Sequence, residues 1–150
     1  MCYGMAIFSQ WFDIKNGVRQ GGVFSPVLCC VYLDGLLYAL KSAGYGCFVG
    51  HVFTGAIAYA DDLVLLAPSQ NAMRHMLRVC EAYAGDYDML FTASKSKCVV
   101  CSANISTQSC RLHNSSRFYI SGNCIDVVDS WPHLGHIICK NSDDNLDILN

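Results

Sequence analysis

Charge is scarce in this sequence. Asp, Glu, Lys and Arg make up 15% of its 150 residues, against roughly 25% in ordinary soluble chains. Hydrophobic residues make up 53%, so the chain cannot easily cover its own surface with charge. The expectation is the interior of a larger assembly, or a piece cut from one. A basic surplus is lacking as well: ten Lys and Arg against twelve Asp and Glu leave a net charge of −2. That argues against a free-standing nucleic-acid binder, whose affinity comes largely from phosphate neutralisation. No apolar run reaches the ~20 residues that cross a bilayer, and the longest, Val27 to Leu40, is interrupted by Asp34. The start, Met-Cys-Tyr-Gly-Met-Ala-Ile-Phe, has neither the basic end nor the cleavage site of a signal peptide. Internal repeats and low-complexity tracts are missing too, which excludes solenoids and arrays.

Cysteine is plentiful, ten in all. Cys29, Cys30, Cys47, Cys80 and Cys98 sit in apolar or helical surroundings, where a reduced thiol acts as a small hydrophobe. The expectation is a reducing, intracellular location (cytoplasmic or nuclear) and no secretion. Cys98, Cys101, Cys110 and His113 have spacing that could suggest zinc. Against it, Cys98 and Cys101 are expected on one strand, where an odd separation sends them to opposite faces. His51, His75 and His136 show no partner spacing.

The length suits one domain. Residues 1–16 carry a weak strand-like signal, and Gly17 to Gly22 form a glycine-rich loop. Ser25-Pro26 then opens a helix, with serine as cap and proline at the first turn. Cys29, Leu33, Leu36, Leu37 and Leu40 share one stripe, and Val27, Val31 and Tyr38 make the other side apolar, so both sides are expected to be covered. Gly44 is the expected stop. From Ala56 to Ala67, two apolar runs flank an acidic pair, the pattern of a hairpin. Alternation places Ala56, Ala58 and Ala60 on one face and Ile57 and Tyr59 on the other. Pro68-Ser69 starts a second helix over 70–84, with Met73, Met76, Leu77, Cys80 and Ala84 inward, Arg74, His75, Arg78 and Glu81 toward solvent, and Gly85 as its end. Strands are expected at Met89–Thr92, Cys98–Ser102, Phe118–Ile120, Cys124–Val128 and Leu134–Cys139, and a solvated helix start at 143–147. The order implies an α+β domain, an antiparallel sheet with helices on one face.

Asp61-Asp62 at the hairpin tip has two readings. Aspartate is common in tight turns because its side chain bonds the local backbone. Paired carboxylates are also what Mg²⁺ takes alongside substrate phosphates, and two such ions serve phosphoryl transfer. The neighbouring motifs bear on the choice. Gly17-Val18-Arg19-Gln20-Gly21-Gly22-Val23-Phe24-Ser25-Pro26, a helix, and then Ala58-Tyr59-Ala60-Asp61-Asp62-Leu63-Val64-Leu65 closely resemble the reverse transcriptases of non-long-terminal-repeat retrotransposons. Leu90 to Lys97 resembles that family's lysine-bearing segment after the second palm helix. Trp131-Pro132-His133-Leu134-Gly135-His136-Ile137-Ile138 resembles its primer-grip hairpin. The likeness runs from about residue 8 to the end, and implies a single partial polymerase palm (core about 8–140, tail 141–150) with fingers and thumb largely missing.

What the resemblance implies follows position by position. Asp61 would be a metal ligand and Asp62 an assisting one, for Mg²⁺ in a two-metal site. Tyr59 would lie beside the primer terminus, with Ala60 leaving the turn open. Gln20 and Gly21 would line the nucleotide pocket, and Arg19 would meet a phosphate or be a structural arginine. Lys95 would face the departing pyrophosphate, or be an ordinary surface lysine. Leu134 and Gly135 would form the primer grip. The partners implied are an RNA template, a DNA primer, deoxynucleotides and the remainder of a retroelement polyprotein, with no membrane. Some positions depart from the family. Residues 1–16 contain no match to its upstream catalytic aspartate segment, and Asp13 lies too close to the glycine loop. Thr92 stands for the usual asparagine and His133 for an aromatic residue. The expectation is therefore a polymerase fragment, inactive as the isolated chain. The rivals are a non-catalytic protein-interaction module and, more remotely, a cysteine-based metal binder.

Overall fold

The computed structural model describes residues 21–101 and 117–140; the strand-like signal at 1–16 and the helix start at 143–147 lie outside them. Two helices, α1 (Ser25–Ala43) and α2 (Gln70–Asp86), pack side by side. Around them lie short strands: β1 (Phe48–Val49), β2 (Val52–Phe53), β3 (Ala56–Tyr59), β4 (Asp62–Leu65), β5 (Lys97–Val99), β6 (Phe118–Ile120), β7 (Asn123–Val128), β8 (Ser130–His133) and β9 (His136–Cys139).

The strands do not form the single antiparallel sheet expected. They form three two-stranded hairpins, β1–β2, β3–β4 and β8–β9, and one three-stranded sheet ordered β5-β7-β6 in which β5 runs parallel to β7. Two-residue reversals account for the fragmentation. Each pair turns at once on left-handed residues: Gly50, Ala60, Ser121-Gly122 and Leu134-Gly135. Where both turn residues have positive φ, the turn matches the twist of its strands. Leu134 is therefore a turn residue, not the start of a strand.

Met89–Thr92 is not a strand, because its backbone groups serve turns. Asp88 takes a left-handed φ of 51°, and the Met89 N–H donates to Ala84 O at 2.8 Å, the 6→1 bond of a Schellman helix end. Thr92 O accepts from the Lys95 and Ser96 N–H groups. Helix α2 thus runs past Gly85 to Asp86, with Tyr87 as its cap and the left-handed Asp88 just beyond. Its start is as expected: the Ser69 side chain accepts the Ala72 N–H at 3.2 Å. At α1 the cap is Phe24, with no side-chain bond, and Ser25 is already helical. Gly44 ends α1 at φ 74°.

The core is built from Leu33, Leu36 and Leu40 of α1, Met76, Leu77 and Cys80 of α2, and Phe118, Ile120 and Ile125 of the β6–β7 pair. Close approach between the helices needs Gly35: a Cβ there would lie 2.5 Å from Tyr83 Oη, which donates to Tyr32 O at 2.7 Å. Three of the four α2 residues expected to face solvent are engaged with neighbours. Arg74 lies over the Phe118 ring, His75 stacks on Tyr45, and Glu81 accepts the Ser121 N–H at 2.8 Å. The five cysteines read as small hydrophobes divide as well. Cys80 is buried, Cys29 and Cys98 pack against the core, Cys47 is half-buried, and Cys30 is exposed.

The outer side of α1 differs most from expectation. Val27, Val31 and Tyr38 are 58%, 65% and 74% exposed, so that side is uncovered among the described residues. By length and composition α1 also qualifies as a membrane-crossing helix, although Asp34 interrupts it; its leucine stripe is engaged with α2 and β3. Replacing Leu36, which has no exposed surface, by alanine is expected to cost about 2–5 kcal/mol. Val31→Ala should change stability by no more than about 0.5 kcal/mol. Urea denaturation of both variants checks which side of α1 holds the fold.

Candidate active site

The acidic hairpin is held by its inward face. Ala58 pairs with Leu63 and Ala56 with Leu65, and all four pack against the core. The alanine face thus serves the approach of α1. On the outward face Ile57 pairs with Val64 and Tyr59 with Asp62; Ile57 and Tyr59 are exposed. The tip is the two-residue reversal Ala60-Asp61, with Ala60 at φ 51°. A left-handed alanine is unfavourable, so surrounding packing has to impose it. Cys29, in the second turn of α1, approaches Ala60 O at 3.9 Å.

Asp61 sits on the turn and Asp62 opens β4. Both are exposed and neither forms an ion pair among the described residues. Both line a cavity of about 590 Å³ that runs from the hairpin toward Lys95, Trp131 and His133. The cavity therefore joins three of the motifs read from the sequence: the acidic pair, the lysine segment, and the hairpin that carries Leu134 and Gly135. Leu134 and Gly135 form that hairpin's turn at φ 50° and 83°, and the strand residues beside them reach the cavity.

Other expected residues lie elsewhere. Tyr59 and Ala60 stand at the outer side and tip of the hairpin. Gly21 is exposed in the loop leading into α1, at φ 74° with nothing within 4 Å of a Cβ placed there. Its glycine is explained by backbone conformation. Arg19, Gln20 and Asp13 lie outside the described residues, as do Cys110 and His113 of the cysteine cluster. Among the described residues no three His, Cys, Asp or Glu side chains gather as a metal group. Cys98 and Cys101 both reach the cavity, because β5 ends at Val99 before Cys101; the opposite-face argument fails there.

Lys95 lies exposed in the turn after Thr92, with no ion-pair partner among the described residues. Lys97, two residues on, is fully engaged: its Nζ donates to Asp126 Oδ2 at 2.6 Å and Ser94 O at 3.1 Å. Sequence reasoning missed Lys97 because its partner is 29 residues away on a parallel neighbour strand.

The donor set at the tip suits a hard divalent cation: two oxygen-only ligands, adjacent, exposed and held by a rigid pair of strands. It supplies part of a coordination shell. Thiols near the cavity are poor competitors: burial pushes Cys98 up, with Cys101 adding to it, and burial, then Glu81, pushes Cys80 up from 9.0 to about 12. In the unfolded chain Cys80 ionises from pH 9 upward while the folded chain keeps its proton. The stability Cys80 confers is therefore intact below pH 9 and is lost as pH rises from 9 toward 12. Cys80→Val is expected to flatten the alkaline fall in stability by up to about 1.4 kcal/mol per pH unit in that window, measured by urea unfolding of both proteins.

The chain matches the family described as reverse transcriptase (RNA-dependent DNA polymerase) over residues 3–138. It is similar to the Retrovirus-related Pol polyprotein from type-2 retrotransposable element R2DM of Drosophila melanogaster. They are 31% identical over 130 residues, 85% of this chain and 12% of the relative. The Retrovirus-related Pol polyprotein from type-1 retrotransposable element R2 of Nasonia vitripennis is 26% identical over 129 residues, 84% of this chain and 12% of the relative. The corresponding polyprotein of Popillia japonica is 44% identical over 54 residues, 35% of this chain and 8% of the relative. The chain thus spans about 12% of the length of the first two. No solved structure matches it.

Proposed function

This chain belongs to the reverse transcriptase family, of the non-long-terminal-repeat retrotransposon type, and from that premise we propose that it forms the metal-binding centre of a polymerase that copies RNA into DNA. The observation that carries the reading is the exposed Asp61-Asp62 pair, one on the hairpin turn and one opening β4, at the wall of the cavity shared with Lys95. On this reading the described residues are palm, and fingers, thumb and the third carboxylate are supplied by other parts of a retroelement polyprotein acting inside the cell.

Asp61 and Asp62 would hold Mg²⁺, with substrate phosphates and a further carboxylate as the other ligands. When bound, the ions would supply Lewis-acid activation of the primer 3′-hydroxyl and offset charge on the departing pyrophosphate. Lys95, outside the ion pairs of the described residues, offers its cation to that pyrophosphate from the same cavity. Tyr59, opposite Asp62 on the outward face, presents a flat ring to the primer end, and Ala60 keeps the tip narrow. Gly21, Gln20 and Arg19 precede the helix that touches the tip, and serve the nucleotide and its template base. Leu134 and Gly135 steady the primer. A net charge of −2 means that template and primer are gripped mainly by other regions, and this chain alone is expected to be inactive in synthesis.

The test is Mn²⁺ binding, as a paramagnetic stand-in for Mg²⁺, followed by electron paramagnetic resonance with a deoxynucleotide present. Asp61→Asn is expected to weaken binding by about tenfold or more, since one of two hard ligands loses its charge. As a surface change, it should leave the melting curve in place. Equal Mn²⁺ affinity in wild type and Asp61→Asn/Asp62→Asn would remove the metal reading. The rival reading, a non-catalytic interaction module, draws on the uncovered outer side of α1 and requires no metal dependence at all.

A further inference from the structure

The β8–β9 hairpin is a two-stranded unit, and such units are marginal unless something outside braces them. Its own base is closed by Lys140, which pairs with Asp129 at 2.8 Å and donates its N–H to Asp129 O at 3.0 Å. Those bonds close the hairpin at its base. Toward the body it meets β5, and the Cys101 thiol lies 3.9 Å from Cys139 O. Lys97 stands directly opposite Asp126 in the parallel register of β5 and β7. Its side chain is 14% exposed, against 69% for Asp126. An ammonium so enclosed has three donors to satisfy. One goes to Asp126 Oδ2 at 2.6 Å, one to Ser94 O at 3.1 Å, and the remaining side faces the Trp131 ring, whose centroid lies 5.7 Å away. A cation over an indole face is attracted by the ring quadrupole.

These three partners belong to three different elements. Ser94 lies in the Thr92–Ser96 turn that carries Lys95; Asp126 is on β7; Trp131 is on β8, three residues before Leu134. Lys97 and Trp131 both line the cavity of Asp61 and Asp62. With its donors committed, Lys97 has none to offer a phosphate. We infer that Lys97 is a positioning residue that braces the Lys95 turn and the Leu134-Gly135 hairpin against one another across the cavity. The brace itself stands on geometry; its use, in placing a primer–template duplex, rests on the polymerase reading above.

The test uses the full chain carrying Trp11→Phe, so that Trp131 is the single indole. Lys97→Met is expected to shift Trp131 emission to the red and increase quenching by iodide, and Lys97→Arg to return both toward the wild-type values. Asp126→Asn, a change at an exposed partner that keeps Lys97, is expected to move them in the Lys97→Met direction and keeps the test open if Lys97→Met does not fold. Unchanged Trp131 emission and quenching in folded Lys97→Met and Asp126→Asn overturns the brace. Duplex binding, read by anisotropy of a labelled DNA primer on an RNA template, is expected to weaken about fivefold in Asp126→Asn. Charge alone predicts the opposite sign there, since that variant is less negative. Tighter or equal binding in Asp126→Asn therefore overturns the positioning role. If the wild-type chain binds no duplex, as other regions supplying the grip would explain, the brace stands or falls on the Trp131 response alone.

Discussion

The register of β3 against β4 is the constraint on which the site depends. Only with Ala58 opposite Leu63 and Ala56 opposite Leu65 do four apolar side chains meet the core while Asp62 faces outward beside Tyr59. A slip of one residue would carry every side chain of the moved strand to the other face, burying a carboxylate and exposing leucines. The cost is steep in both directions, because an unpaired buried charge and lost apolar burial add. The left-handed Ala60 is a consequence: packing holds both strands, so the turn takes whatever backbone joins them in two residues. Cys29 at Ala60 O marks where α1 presses on that turn, which links the helix core to the acidic tip.

The low charge noted in the sequence has a visible counterpart. Leu33, Leu36 and Leu40 satisfy one side of α1, yet Val27, Val31 and Tyr38 remain at the surface, together with Val23, Phe24 and Leu90. Scattered apolar residues are ordinary on any protein, whereas an apolar helix side several turns long is not. The sequence pattern, apolar all round, implies a helix covered on both sides; the helix is there and one cover is not among the described residues. A chain that spans about 12% of its relatives' length is consistent with such a side being met by other parts of a longer protein.

Local signals were legible in the sequence, and long-range ones were not. Pro68-Ser69 as a helix start, Gly44 as a helix stop, the β3–β4 hairpin and the Phe118–Ile120 strand all follow from short-range rules of helix ends, turn chemistry and alternation. The misses share a different cause. Met89–Thr92 has a strand's composition, but its backbone bonds were claimed by the end of α2 and the Thr92–Ser96 turn. Arg74, His75 and Glu81 look like a solvated face until Phe118, Tyr45 and Ser121 arrive from distant sequence. The single sheet dissolved into hairpins because two-residue reversals leave each pair complete in itself. In the site, the acidic pair was found by its motif, and its sharing of one cavity with Lys95 and the Leu134-Gly135 hairpin is a property of packing that no spacing encodes.

Lys95 and Lys97 show how far a motif can take the assignment of roles. Both belong to one lysine-bearing segment, and although the resemblance singles out Lys95 for the pyrophosphate, it gives Lys97 no role and no physical reason why the two should differ. Their surroundings do. A charge enclosed as Lys97 is must be compensated in place, because desolvation of an ammonium outweighs most single contacts; Asp126, Ser94 O and the Trp131 ring together provide that compensation. The same commitment makes Lys97 a poor ligand for a transient anion, since releasing it would leave Asp126 and the ring without their cation. Lys95, exposed on the turn and outside the ion pairs of the described residues, carries no such obligation. A phosphate arriving in the cavity would meet the lysine whose charge is still available, and the division of labour follows from burial rather than from residue type.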